Sequence, residues 1–476
     1  MPPGRHTCFR RTPTNGLGTP LRWGALLLAA CASAALALAP PPIRADLDHD
    51  PAVIEFRDDF LAGDLAWDAV LERARTEGEV RWYHWGGSED LNTWIESVVV
   101  PELAALGVRV QSVRVPDTRD AVDVILADAA VGRGLGRGAV DLVWINGDNF
   151  RALDANDLLF GPFADLVPNA VYFNLDESDP AAAVNLRDLG TPTLLRSIPW
   201  FAGQYVCYVD GVRLEPEDAP RTFVELEALA RERPGRLTYV RPPNYIGTAF
   251  VQGAIVEGSG EGVTPFLRDV ATLEPAEVAR LLRPAFERLR RIEPFLLGGG
   301  GDGARGSPVY PPTAPAWERL LAGGEVDMAC EDNIFHASLG AERGRLPGSV
   351  GTVIFPEGAM RVNKSFLAIP ATASNPAAAL VLANSLSSLE SHLSKLELIG
   401  FPLALDTDRL TASQRSEVER RSPDLRGVRY EDLAANAVPD MHASWVGVID
   451  RVWERWIALA SDDEFVDVVA RALVER

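Results

Sequence analysis

The sequence predicts an α/β fold in two lobes, on three observations. Short β-branched and aromatic runs repeatedly end in a polar or glycine turn and pass into a helix-like stretch, the order that builds a parallel or mixed sheet. That pattern restarts after about residue 210, which implies a second core of the same class. The chain of 476 residues, 47% hydrophobic and 24% charged, is long enough to bury both.

The first 45 residues are expected to lie outside the fold. Arg5, Arg10, Arg11 and Arg22 precede an apolar run from Trp23 to Ala39, and no acidic residue occurs before Asp46. This is the layout of a secretory signal, with cleavage after Ile43, Arg44 and Ala45 and export to the periplasm. Lipidation at Cys31, following Leu28, Ala29 and Ala30, is the second choice; the apolar run continues past it, where a lipidated terminus normally has a polar tether. An uncleaved anchor ranks third, being short of the roughly 20 residues a span needs. Arg10 and Arg11 lack the surroundings of a twin-arginine signal. A formal charge of −21 without a long basic run argues against nucleic acid as a partner. Lys364 and Lys395 are the only lysines.

Asp46 to Asp50 lacks calcium-loop spacing and reads as a solvated terminus to a helical extension over 46–77, where Leu61, Leu65, Trp67, Val70, Leu71 and Ala74 recur at helix spacing. Val80 to Trp85 is the first strand, broken by Gly86 and Gly87 before a helix carrying Leu91, Trp94 and Ile95. It is either a ligand-facing tip or an ordinary strand–turn–helix joint. His84 reads as a satisfied core histidine, and Trp82 and Trp144 as core aromatics. Val108 to Val115 is a strand and Arg119 to Val131 a helix. The glycine-rich loop from Gly132 to Gly138 has no preceding strand and no Lys-Ser/Thr partner, so it reads as a mobile surface loop rather than a phosphate cradle. Leu142 to Ile145 is a buried strand leading into Asn146 to Asn149, which can serve a ligand or merely close an Asx turn.

In the second half, Ile198 to Asp210 is a strand, Pro220 to Ala230 a helix, Leu237 to Val240 a strand, and Ala249 to Val256 a helix. Leu296 to Pro315 is a Gly/Pro-rich loop, followed by a helix over Ala316 to Leu321. Val326 to Cys330, Gly351 to Phe355 and Val362 to Pro370 are strands. Pro376 to Leu393 is a helical run, and Trp445 to Val474 one or two amphipathic helices. Cys207 and Cys330 can pair in an oxidising compartment, but spacing alone does not bring them together. With no Cys-x-x-Cys and scattered histidines, neither metal nor cofactor is expected.

Five stretches in this order resemble the extracellular solute-binding proteins of ABC importers, of the type II periplasmic binding class that carries thiamine, polyamines or ferric ion. They are Trp82 to Gly87, Asp141 to Phe150, Ile198 to Val209, Gly324 to Ala329, and Asn363 to Leu386. Asp141 to Gly147 and Pro311 to Ala316 are most similar to the YnjB-like branch. The resemblance covers about residues 78 to 460. It implies two lobes, each a mixed sheet flanked by helices, with two crossing strands as hinge. Lobe 1 would comprise residues 78–200 plus about 365–410, and lobe 2 residues 201–364; helices over about 411–476 would pack on one of them. It also implies a non-enzymatic monomer that grips a small solute and is recognised by a membrane permease coupled to an ATPase.

Four strand tips would then face the cleft. They offer Trp85, Gly86 and Gly87; Asn146, Asp148 and Asn149; Asn244, Tyr245, Gly247 and Thr248; and Glu331, Asp332 and Asn333. Trp200, Phe201 and Tyr205 add aromatic surface near the hinge. Carboxylates among aromatics suit an organic cation such as thiamine or a polyamine, although helix N-termini at the same tips favour anions. The alternatives are a secreted hydrolase using paired carboxylates, for which no nucleophile elbow or zinc motif is present, and a sensory receptor for the same solute.

Overall fold

The computed structural model describes residues 43–179, 182–301 and 306–474. The expected signal segment up to residue 42, with Cys31, lies outside the described residues. Packing begins at Leu47, which is buried. The stretch read as a solvated terminus is instead docked. Asp48 N donates to Gly132 O (2.7 Å), Gly134 N to Asp48 O (2.8 Å) and Leu135 N to His49 Nδ1 (2.8 Å). On its other side the same loop is held by Gly136 N to Ala373 O (2.7 Å) and Gly138 N to Thr372 O (2.6 Å). The glycines over 132–138 are therefore not a mobile loop. A Cβ on Gly134 would lie 2.4 Å from the His49 ring, and one on Gly138 would lie 2.5 Å from Thr372 O. Close backbone approach explains both residues.

The expected helical extension divides into Pro51–Leu61 and Trp67–Glu77, separated where Gly63 takes φ +78°. Among the described residues eleven strands follow in chain order: β1 (Glu79–Trp85), β2 (Arg109–Val115), β3 (Leu142–Ile145), β4 (Arg187–Asp188), β5 (Thr191–Pro192), β6 (Ser197–Gln204), β7 (Val206–Asp210), β8 (Met328–Glu331), β9 (Val350–Val353), β10 (Met360–Ala368) and β11 (Ala437–Pro439). β1 lies parallel between β2 and β3, β10 runs antiparallel to β3, and β6 is antiparallel to β10. The first sheet is thus mixed, and β11 extends it by pairing parallel with the start of β10.

The second sheet is smaller and purely antiparallel, in the order β8-β7-β9. The strand expected over Leu237 to Val240 stays irregular. It lends single backbone bonds, such as Leu297 N to Leu237 O (2.8 Å), rather than a ladder. The chain crosses between sheets at Tyr205, where β6 becomes β7, and returns over 354–359 between β9 and β10. Cys207 and Cys330 stand directly opposite in the β7–β8 register and form a disulfide, which resolves what spacing left open.

Each sheet has its own apolar cluster. Trp82, Trp94, Trp200, Leu367 and Leu380 belong to that of the first sheet, which also takes in Val53, Phe60 and Val70 from the N-terminal helices. Phe223, Phe250, Leu282, Phe286 and Trp317 belong to that of the second. The helices Ser444–Trp453 and Phe465–Val474 join the second cluster through Trp445, Ile449, Phe465 and Val469. A smaller cluster between 334 and 433 unites Phe335, Leu339, Met360, Leu396 and Leu433. The long helical run after Pro376 is two helices, Pro376–Leu386 and Leu389–Ile399. Ser388 caps the second, accepting from Ser391 N (3.1 Å).

Candidate functional site

The carboxyl ends of β1 and β3 carry an aromatic wall. Trp85, 37% exposed, meets Trp144 edge to face at 6.2 Å between centroids. Trp144 in turn packs against Trp200 (4.8 Å) and Phe201 (6.0 Å), and Phe201 against Phe401 (4.8 Å). Such edge-on contacts satisfy the ring quadrupoles while leaving one outer face free. The free face belongs to Trp85.

The two glycines after Trp85 are used by the fold itself. A Cβ on Gly86 would strike Arg114 at 2.7 Å, and one on Gly87 would enter the Trp85 ring at 2.2 Å. Gly86 N and O are both bonded, to Val115 O and Asn92 Nδ2 (2.9 Å each). Their role is to let the Trp85 ring fold back over the tip. Ser88 then caps the next helix, accepting from Leu91 N (3.3 Å).

Opposite the aromatics in sequence and chemistry stands an ionic group centred on Arg361. Its guanidinium donates to both oxygens of Asp332 (2.9 Å each), to Asp440 Oδ1 (3.0 Å) and to the Tyr245 hydroxyl (2.6 Å). It also lies 4.3 Å from the Tyr245 ring centroid, and Asn363 Nδ2 donates to the same hydroxyl (2.6 Å). Burial alone would lower the Arg361 pKa, but Asp332, Tyr245 and Asp440 raise it well above its ordinary value. Burial pushes the Asp440 carboxyl up to about 6 despite Arg361, with Asp332 adding to the rise. The tip of Tyr245 is enclosed and its pKa raised by burial, while 39% of the residue remains exposed.

One ribbon joins the two groups. In the β6–β10 register Phe201 faces Ser365 and Gly203 faces Asn363. Residues two apart share a face, so Phe201, Gly203, Arg361, Asn363 and Ser365 line one surface. A Cβ on Gly203 would lie 2.8 Å from Asp332 O, so the glycine is there to let the backbone of Asp332 approach.

The remaining expected residues are distributed as follows. Asp148 is exposed and bonds Arg151 (2.7 Å); Asn149 Nδ2 donates to Thr118 Oγ1 (2.9 Å); Asn146 is half-buried. Asn244 caps the helix Tyr245–Ser259, accepting from Ile246 N (3.1 Å). A Cβ on Gly247 would lie 2.2 Å from Val240 O, and Thr248 donates inward to Asp450 (2.6 Å). Trp200 and Tyr205 are fully buried and offer no surface to a ligand: Trp200 supports the wall from behind through Trp144, and Tyr205 belongs to the apolar cluster of the second sheet. Glu331 Oε1 accepts from Asp332 N (3.1 Å), and burial raises its pKa. Asn333 closes a turn through Phe335 N (2.9 Å) and reaches Gly400 O (3.1 Å). Asp332 is saturated by Arg361. His84 is a core residue as expected, with Nε2 2.8 Å from Ser112 Oγ and its pKa lowered by burial.

Arg361, Asn363, Asp440, Phe401 and Asp188 complete the arrangement and were not singled out from the sequence. Asp188 is buried and accepts from Gly147 N at the tip of β3 (2.6 Å); burial raises its pKa well above the carboxylate range, and Asp440 adds to the rise. Among the described residues no group of three or more His, Cys, Asp or Glu is placed to hold a metal ion. No helix among them is long and apolar enough to cross a membrane.

Residues 102–407 match the family model described as bacterial extracellular solute-binding protein. The chain is 32% identical over 396 residues to Protein YnjB of Escherichia coli K12, covering 81% of this chain and 92% of that one. Solved structures with a similar fold include an ABC transporter substrate-binding protein from Bradyrhizobium japonicum (TM-score 0.55, 17% identity, 80% of this chain and 99% of that one). Another is the cyclic α-maltosyl-1,6-maltose binding protein of Arthrobacter globiformis (TM-score 0.54, 14% identity, 83% and 97%).

Proposed function

This chain belongs to the bacterial extracellular solute-binding proteins, the non-enzymatic capture components of ABC transporters that hand a small ligand to a permease, and from that premise we propose that its ligand is a small organic cation. The observation that carries this reading is the composition of the shared surface. Asp332 and Asp440 both pair with the one guanidinium of Arg361, and two half-exposed rings, Tyr245 stacked on that guanidinium and Trp85 at the end of the aromatic wall, are open to a ligand. Ring faces and surplus carboxylate both favour positive charge. Trp85, Phe201, Tyr245, Asn363 and the tip around Asn146 to Asn149 are the proposed ligand contacts. Asp332 and Glu331 set the field behind them.

The proposal includes a two-lobed division at the crossings near 205 and 354–359, closure of the lobes around the solute, and a monomer acting in the periplasm with a permease and its ATPase. Support for the division comes from the separate apolar clusters of the two sheets.

Native mass spectrometry of the purified protein tests the ligand. The expected result is a retained small molecule of net positive charge, released by Tyr245→Ala with at least a tenfold loss of affinity in calorimetry. A retained sugar or anion, or unchanged binding by that variant, overturns the reading.

A further inference from the structure

The segment between the helix Ala183–Leu186 and β6 holds polar groups that the rest of the chain leaves unserved. β4 and β5 form a two-residue hairpin with Asp188 opposite Thr191, and Thr193 N extends the ladder to Leu186 O (2.8 Å). Directly paired residues, and residues two apart, lie on one face. Asp188, Thr191 and Thr193 therefore point the same way, and burial agrees: all three are buried while Pro192 and Leu194 between and beyond them are exposed.

Asp188 is 1% exposed, and only its Oδ1 is used, by Gly147 N. Asp188 Oδ2, Thr191 Oγ1 and Thr193 Oγ1 have no hydrogen-bond partner. Leaving such atoms unserved is costly, most of all for a carboxyl group. The nearby cations are already engaged: Arg361 by Asp332 and Asp440, Lys364 by Asn185 and Asp406, and Arg187 by Gly190 O. The group sits at the tip of β3. It is covered by the 442–443 segment, where Ala443 N donates to Leu189 O (2.7 Å) and a Cβ on Gly190 would lie 3.1 Å from His442. Entry to it requires that these segments part, as a hinge motion would allow.

We propose that Asp188, Thr191 and Thr193 form a subsite for a primary ammonium group of the bound solute. An ammonium carries three N–H donors and no acceptor, which suits one carboxyl oxygen and two hydroxyl oxygens. A quaternary or ring cation offers no such donors and is served by ring faces alone. An anion brings no N–H donor to these oxygens. The inference rests on reading the cleft as a cation site and narrows the cation to the alkylamine class.

Calorimetry on the full-length purified protein tests it, using α,ω-diaminoalkanes of two to five carbons, their N-permethylated analogues and the matching diols. A diaminoalkane is expected to bind at least tenfold more tightly than its permethylated analogue, and the diols not at all. Asp188→Asn should weaken the amine at least tenfold without lowering the melting temperature, and Thr193→Val should weaken it severalfold if the first variant fails to fold. Equal binding of amine and permethylated analogue overturns the subsite and leaves the cation reading standing. Binding of the diols in preference to the amines overturns both. Unchanged amine binding by the folded variants, or binding by no member of the panel, shows that these atoms hold internal water only and overturns the subsite.

Discussion

The aromatic wall and the ionic group share one ribbon but are held together by opposite physics. Trp85, Trp144 and Phe201 meet edge to face, Phe401 packs tilted on Phe201, and none of the four needs an outside partner to be complete. Arg361 instead holds two carboxylates, the half-buried Asp332 and the buried Asp440, whose desolvation is tolerable only while the guanidinium is present. A wall of rings can lose one contact and relax. A buried ion group that loses its central charge leaves two charges without compensation. The first side is suited to giving surface to a ligand, and the second to fixing geometry.

The sharpest way to break this contrast is to remove the central charge. Arg361→Met should cost about 3–5 kcal/mol, because it strands Asp332 and Asp440. Urea unfolding measures it, and the triple variant with Asp332→Asn and Asp440→Asn should recover most of the loss. A cost below about 1 kcal/mol for the single variant would mean that the carboxylates find other partners. On the aromatic side, Trp144→Ala should cost about 3 kcal/mol, at the lower end for a buried ring because the neighbouring Trp85 can settle into the space. Near-additivity with a Trp85 substitution would refute that settling, since contacting residues normally couple.

The aromatic half was largely legible in the sequence, and the ionic half was not. Val80 to Trp85 and Leu142 to Ile145 announce themselves by β-rich runs ending in turn residues, and both are strands of the mixed sheet. Tyr245 follows an Asn that caps a helix, which is also a local signal. The partners of Arg361 lie 29 and 79 residues away, and no local pattern links them. Asp440 was hidden further because it follows the three-residue β11, inside a stretch read as helical. The glycines misled in a different way. Gly86 and Gly87 read as room for a ligand, whereas Arg114 and the Trp85 ring fill that room. Cys207 and Cys330 could not be joined from spacing because their contact is set by the β7–β8 register.

Where the helix Trp67–Glu77 meets the helix Pro376–Leu386, Glu77 is a titratable weak point, which allows a smaller test. Glu77 accepts from Ala378 N (2.8 Å) and Arg73 Nε (3.3 Å), yet burial raises its pKa to about 7. A carboxyl raised in the folded state binds more protons there than in the unfolded chain. Its contribution is therefore fully present below the ordinary carboxyl range and is lost as pH rises through about 7. Glu77→Gln should gain of order 3 kcal/mol over the native chain at pH 8 and nothing at pH 4. Thermal unfolding across that range checks the slope, and parallel curves for the two proteins would contradict the assignment.

The smallest expected effect tests whether the two sides are joined by charge. Asp90, on the helix Glu89–Trp94 after β1, pairs with Arg343 and, at 3.3 Å, with Arg345, both beyond the helix His336–Glu342 of the second sheet. All three side chains are partly exposed, so solvent screens the pair and Asp90→Asn should change stability by less than about 1 kcal/mol. The contact links the segment after β1 to the segment after the helix His336–Glu342, so it can bias the proposed closure by no more than its own energy. Ligand affinity should then fall by about fivefold at most, with the gap between native and variant vanishing at about 1 M salt. A larger loss, or one that salt does not erase, would place Asp90 in direct contact with the ligand and make the region after β1 part of the ionic side.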